Sequence, residues 1–296
     1  MAGPMTAGHP TAANLNPERK PRDDEIDVYG LTHPGKVRSE NQDHFLICAL
    51  KKQMVVHLTS LPDTDNLMGE PERLAFLMMV ADGVGGGSKG GEASRLALEG
   101  VTKYVSHSMQ CYYAAGSKDD REFFEALQEA ACQTHDELVR QGAQDPAYRG
   151  MATTLTLYLG VWPRAYLLHV GDSRCYLLRN NELTQITRDQ TMAEELVDLG
   201  VISRATSAFT RLAHTLSSSI GGRQTAPVIT RLDNSWGNVA LLCSDGLTKH
   251  VSDERIRDRL RSMTSAKQAC EDLLEEALAG GGTDNISIIV ARTLPR

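Results

Sequence analysis

Apolar and polar positions first alternate at Ile26, Val28 and Leu31, the period of a half-buried strand. The same pattern predicts strands at Asp43–Leu50 and Gln53–Leu58, followed by a loop rich in Pro, Asp, Asn and Gly from Leu61 to Pro71. The run Leu74–Ala81 is apolar throughout, as a strand buried on both faces would be, and it stops at Asp82-Gly83. Helical spacing then covers Glu92–Met109 and Asp119–Gln141, where Phe123, Leu127, Ala130, Ala131 and Leu138 share one face. Four strands follow at Thr153–Leu159, Ala165–Val170, Ser173–Leu178 and Leu183–Ile186. Their links are too short for a crossover helix, so neighbours pair antiparallel. A short helix at Met192–Leu199 leads into Ser203–Gly222, a Ser/Thr/Gly-rich stretch expected to be a mobile loop or small subdomain. Strands at Pro227–Leu232 and Asn238–Cys243, helices at Asp253–Arg261 and Ala266–Ala279, and a last strand at Asn285–Arg292 complete an α+β chain without internal repeats.

Residues 1–24 lack this patterning and are expected to be a disordered tail, leaving one domain over 25–296 with a variable flap at about 190–226. Hydrophobic residues make up 41% of the 296, enough to build a core. The formal charge of −7, from 38 acidic and 31 basic residues, comes without a basic block, which argues against nucleic acid as a partner. Six cysteines lie scattered with no Cys-x-x-Cys spacing and read as reduced core residues. The start of the chain lacks the apolar segment of roughly 7–15 residues that a secretory signal needs. No apolar run approaches the ~18 residues that span a bilayer. The expectation is a cytoplasmic monomer that does not engage membranes.

Three aspartates stand where an apolar strand meets a turn: Ala81-Asp82-Gly83, Ser244-Asp245-Gly246 and Thr283-Asp284-Asn285. Projecting from one sheet edge into one pocket, their carboxylates would repel each other and demand cations. A single Asp-Gly is usually only a turn. The surroundings say more. Gly35-Lys36-Val37-Arg38-Ser39-Glu40-Asn41-Gln42-Asp43, Asp82-Gly83-Val84-Gly85-Gly86, Gly150-Met151-Ala152-Thr153-Thr154, His169-Val170-Gly171-Asp172-Ser173-Arg174, Ser244-Asp245-Gly246-Leu247 and Gly282-Thr283-Asp284-Asn285 occur in that order. This series resembles the metal-dependent protein phosphatases of the PPM (protein phosphatase 2C) family, and most of all its compact bacterial members.

The resemblance implies a four-layer α/β/β/α sandwich, two antiparallel sheets packed face to face and flanked by helices. It implies that Asp82 bridges two Mn²⁺ or Mg²⁺ ions, that the Gly83 carbonyl is a further ligand, and that Asp245 and Asp284 complete one ion's shell. Asp43 is expected near the ions, acting through water, with Gln42 in place of a common glutamate. An all-oxygen donor set without Cys or His independently favours Mg²⁺ or Mn²⁺ over zinc. A water bridging ions about 3.5–4 Å apart would then attack phosphorus in line, with no phosphoenzyme. Arg38 aligns with the arginine that grips phosphate, and its planar fork of donors suits that task. Asp172 and Asp189 are expected to be structural, and His33, His44 and His169 to be packing residues.

The glycines of 83–91 are not a P-loop, because Lys89 is followed by Gly90 where that motif needs Ser or Thr. Val84 replaces a histidine that many members carry, so a water would have to protonate the leaving group. A third ion lacks its usual acid, since Arg149 and Gly150 precede the Thr-Thr strand and Asp145 is the nearest carboxylate. Ser218 stands where the family often has arginine. The implied function is a serine/threonine phosphoprotein phosphatase in signalling, with phosphorylated proteins and a cognate Ser/Thr kinase and its substrates as partners. The alternatives are a pseudophosphatase that binds phosphoproteins and a small-metabolite phosphatase. The intact Arg38, Asp82, Asp245 and Asp284 argue against the first.

Overall fold

The computed structural model describes residues 19–52, 72–85, 89–115 and 120–294. The strand expected at Gln53–Leu58 and the loop at Leu61–Pro71 lie outside these residues. The described strands form two sheets. The first has the order β1 (Ile26–His33), β11 (Ile286–Thr293), β10 (Val239–Cys243), β7 (Arg174–Arg179) and β8 (Glu182–Gln185). The second has β2 (Asp43–Lys52), β3 (Glu72–Val84), β5 (Leu155–Val161), β6 (Arg164–Val170) and β9 (Val228–Asp233), with the two-residue β4 (Ala152–Thr153) paired to the end of β3. Every pairing is antiparallel.

Burial explains the stacking. β3 is inaccessible on both faces: Met78 and Val80 turn inward to meet Leu177, Leu242 and Ile289 of the opposite sheet, while Leu77, Met79 and Ala81 turn outward. Those outward residues are covered by α1 (Lys89–Ala115), through Ala93, Ala97 and Val101, and by α2 (Asp120–Gln144), through Phe123, Leu127 and Leu138. The far face of the first sheet is covered by α6 (Asp253–Ser262) and α7 (Ala266–Ala279), through Ile256, Leu260, Cys270 and Leu273. The result is the expected four-layer α/β/β/α sandwich with three apolar seams. The five described cysteines are free, and Cys175, Cys243 and Cys270 are buried.

Several boundaries differ from the sequence reading for physical reasons. α1 starts at Lys89, ahead of the predicted Glu92, because Gly90 and Gly91 are helical despite their low propensity. The predicted strand from Thr153 is broken at Thr154, whose backbone N–H turns to the Asp82 carbonyl at 2.9 Å. Residues 19–24, expected in the tail, are held down: Glu25 is buried and accepts two hydrogen bonds from Arg19, and Asp23 pairs with Arg73 and Lys51. The stretch between β8 and β9 is a small lobe containing α3 (Met192–Asp198) and α4 (Ser207–Leu212), closed at its base where Thr153 bridges Ile220. No helix among the described residues is long and apolar enough to cross a membrane.

Candidate active site

The start of β2, the ends of β3 and β10, the start of β11 and the β6–β7 turn all lie at one end of the sandwich. There the antiparallel register sets Asp43 directly opposite Asp82. Three oxygens and nitrogens lock the β3 end: Thr154 Oγ1 accepts the Asp82 N–H at 2.9 Å, and the Asp82 carbonyl accepts from Thr153 Oγ1 and Thr154 N at 2.9 Å each. Gly83 must be glycine, since a Cβ there would collide with the Gly90 and Gln42 carbonyls. That close approach lets the first turn of α1 sit against the strand end. From the other sheet, Ser244 Oγ donates to Asp43 Oδ2 at 2.7 Å and accepts the Ser287 N–H at 2.9 Å, joining the two sheets behind the carboxylates.

Asp245 opens a one-turn helix, α5 (Asp245–Thr248), which the sequence reading missed because four residues carry no periodicity. Asn285 clamps the loop that carries Arg38: its side-chain oxygen accepts from Gln42 N at 2.8 Å, and its amide donates to the Pro34 and Glu40 carbonyls at 2.9 Å each. Arg38 forks onto Asp284 at 2.8 and 3.0 Å, and Lys249 Nζ bridges Asp245 at 2.6 Å and Asp284 at 2.7 Å. Lys249 did not stand out in the sequence. The available signal was its spacing four residues beyond Asp245, which returns it to the same helix face.

The electrostatics show how tightly negative charge is gathered. Burial, then the charges of Asp43, Asp245, Asp172 and Asp284, push the Asp82 carboxyl well above the ordinary range. Burial lifts Asp43 to about 6, although the Ser244 hydrogen bond works against it. Burial and Asp245 lift Asp172 to about 8, so this residue, read as structural, also feeds the acidic cluster. Asp284 goes the other way: burial would raise it, but Arg38 and Lys249 outweigh that and hold it low. Burial would lower Lys249, yet Asp245 and Asp284 keep it above the ordinary lysine value.

Asp43, Asp82, Asp245 and Asp284 are thus gathered at one end with Arg38. Among the described residues no three His, Cys, Asp or Glu side chains are close enough together to hold an ion. Asp284 is turned onto Arg38 and Lys249, and Asp245 onto Lys249. Two observations nevertheless fit the residues to divalent cations. Asp43 Oδ1 and Asp245 Oδ1 are buried without a hydrogen-bond partner, and the donors are all hard oxygens. Asp145 is spent as a cap, its side chain accepting from Ala147 N at 2.8 Å, and Ser218 Oγ accepts from Ala226 N at 2.9 Å inside the lobe. Val84 is exposed beside the acids.

Residues 59–280 match the sequence profile of the family described as Protein phosphatase 2C. The chain belongs to that family. It is 35% identical over 217 residues to the serine/threonine protein phosphatase PstP of Mycobacterium tuberculosis, covering 73% of this chain and 40% of that protein. It is 30% identical over 214 residues to the protein phosphatase PhpP of Streptococcus pneumoniae, covering 72% and 83%. The match therefore covers less than half the length of the mycobacterial relative. The crystal structure of the PstP catalytic domain in complex with two manganese ions superimposes with a TM-score of 0.66 at 29% identity, covering 91% of this chain and 99% of that one.

Proposed function

We propose that this chain is a metal-dependent phosphatase that hydrolyses phosphoserine and phosphothreonine in proteins, using two divalent cations, Mn²⁺ or Mg²⁺, held by Asp82, the Gly83 carbonyl, Asp245 and Asp284. The observation that carries the reading is the buried acidic cluster with partnerless oxygens on Asp43 and Asp245. Supporting it are the phosphatase names of the relatives and the two manganese ions of the PstP catalytic domain. When bound, such ions supply Lewis-acid charge to phosphoryl oxygens and bring the pKa of water toward neutrality.

The chain's own residues do the rest. Arg38 offers the phosphoryl oxygens a planar pair of donors from a loop that Asn285 keeps in register with the carboxylates. Asp43, fixed from behind by Ser244, adds negative charge and a free oxygen beside Asp82. The Arg38 side chain is 57% exposed, with Val37 and Val84 exposed nearby. An open rim of this kind suits a phosphorylated loop on a protein better than a small metabolite, and a Ser/Thr kinase and its substrates are the partners we propose.

The test is hydrolysis of a phosphothreonine peptide with and without Mn²⁺. Asp82→Asn and Asp245→Asn are expected to lose at least about a hundredfold in kcat, and Arg38→Ala roughly ten- to a hundredfold in kcat/KM. Asp82→Asn also removes a repelled charge without changing shape, so the fold survives it. Metal-independent turnover, or full activity in Asp82→Asn, contradicts the reading. No turnover by the unaltered chain with Mn²⁺ or Mg²⁺ makes it a phosphoprotein-binding module instead.

A further inference from the structure

Asp284 has no acceptor position to spare. Its Oδ1 takes Arg38 Nε at 2.8 Å and the Asn285 N–H at 3.0 Å; its Oδ2 takes Arg38 Nη2 at 3.0 Å and Lys249 Nζ at 2.7 Å. Asp245 differs, because Lys249 holds its Oδ2 at 2.6 Å while its Oδ1 is buried and unpartnered. Arg38 sits on a solvent-exposed loop, its side chain 57% exposed. Lys249 is more enclosed and its backbone is anchored. It follows α5 directly, its backbone N–H bonds the Asp245 carbonyl at 2.9 Å, and α5 is pressed against β11 so closely that a Cβ on Gly246 would run into the Asn285 carbonyl. Its side chain is only 22% exposed, with the ammonium lodged between the two carboxylates.

We infer that Lys249 is a resident cation of the acidic cluster, competing with divalent ions for Asp245 and Asp284 and setting how tightly the cluster binds metal. The inference rests on the metal reading above and deepens it. Five carboxylates, Asp43, Asp82, Asp172, Asp245 and Asp284, influence one another here against the two cationic side chains Arg38 and Lys249. The cluster therefore keeps a negative surplus that attracts cations, while Lys249 covers the flank where an ion would reach Asp284. An ion entering there must displace an ammonium from two short ion pairs, which weakens net affinity by the strength of those contacts. Without Lys249 the metal-free protein would leave Asp245 without a cationic partner among the described residues and Asp284 with Arg38 alone, lose stability, and bind metal more tightly.

The experiment is calorimetric titration of Mn²⁺ into the full chain at one fixed pH and ionic strength, paired with melting in EDTA and in Mn²⁺. Lys249→Met is expected to tighten apparent Mn²⁺ affinity by at least about tenfold. It should also lower the melting temperature in EDTA and enlarge the gain in melting temperature on adding Mn²⁺. Lys249→Arg, which keeps a cation, should stay within about threefold of the unaltered affinity. Lys249→Gln serves as a second neutral variant if Lys249→Met does not fold. A neutral variant that melts cooperatively yet gives the unaltered Mn²⁺ isotherm overturns the inference and leaves the metal reading standing. No Mn²⁺ uptake by the unaltered chain, with hydrolysis of the phosphothreonine peptide also absent, overturns the metal reading and the inference with it.

Discussion

His169 shows what a single residue contributes behind the site. It sits in the core of β6, its Nε2 3.0 Å from the Arg188 carbonyl and its Nδ1 3.1 Å from Thr156 Oγ1, so it is held neutral. Burial pushes its pKa down to about 4. A base with a lowered folded pKa resists protonation: the stability it preserves is complete above its usual value near 6.5 and is lost as pH falls toward about 4. The unaltered chain is therefore expected to lose about 2 kcal/mol more than His169→Gln between pH 7 and pH 5, read from urea unfolding at each pH. Equal losses would show that the imidazole is not held neutral. At this scale the sequence marked Asp82, Asp245 and Asp284 as candidates because each follows or borders an apolar strand at a turn, and the fold brings the three to one end. It hid the contact of Lys249 with Asp284 and the contribution of Asp172, since both depend on chain segments brought together only by the fold.

Elements meet at the site through glycine, and that sets the next expectation. Gly83 lies near the end of β3, and the nearest atoms a Cβ there would meet are backbone, the carbonyls of Gly90 and Gln42, which cannot rotate away as a flexible side chain could. Gly83→Ala is expected to cost roughly 2–4 kcal/mol in urea unfolding and to loosen the first turn of α1. A change below about 0.5 kcal/mol would mean that strand and helix are not locked together there. The long strands and α7, with bounds of Ala266–Ala279, were legible because alternation and helical spacing persist over many residues. Short or glycine-bearing pieces were not. α5 is too brief to show a period, and Gly90 and Gly91 disguised the start of α1, where close approach to Gln42 and Gly83 outweighs helix propensity.

The whole molecule has two unlike ends. At one, Arg19 lies over Trp236 at 4.8 Å and, with Glu25, Asp23 and Arg73, ties the first described residues across the sandwich. At the other, segments from both sheets bring five mutually influencing carboxylates to one end, a like-charge assembly that burial makes costly and cations would relieve. The layered architecture was implied by the family resemblance, with which the order of strands and helices agreed, whereas the turning of Asp284 onto Arg38 and Lys249 is a tertiary outcome with no trace in the sequence pattern. The central claim is that Asp82 stands at the middle of a two-ion site. Anomalous diffraction from crystals of the full chain grown with Mn²⁺ tests it most directly. The account predicts two peaks among Asp82, the Gly83 carbonyl, Asp245 and Asp284, with Arg38 and Lys249 displaced from Asp284. Saturating Mn²⁺ with no peak beside Asp82, or with Arg38 and Lys249 still on Asp284, would contradict it.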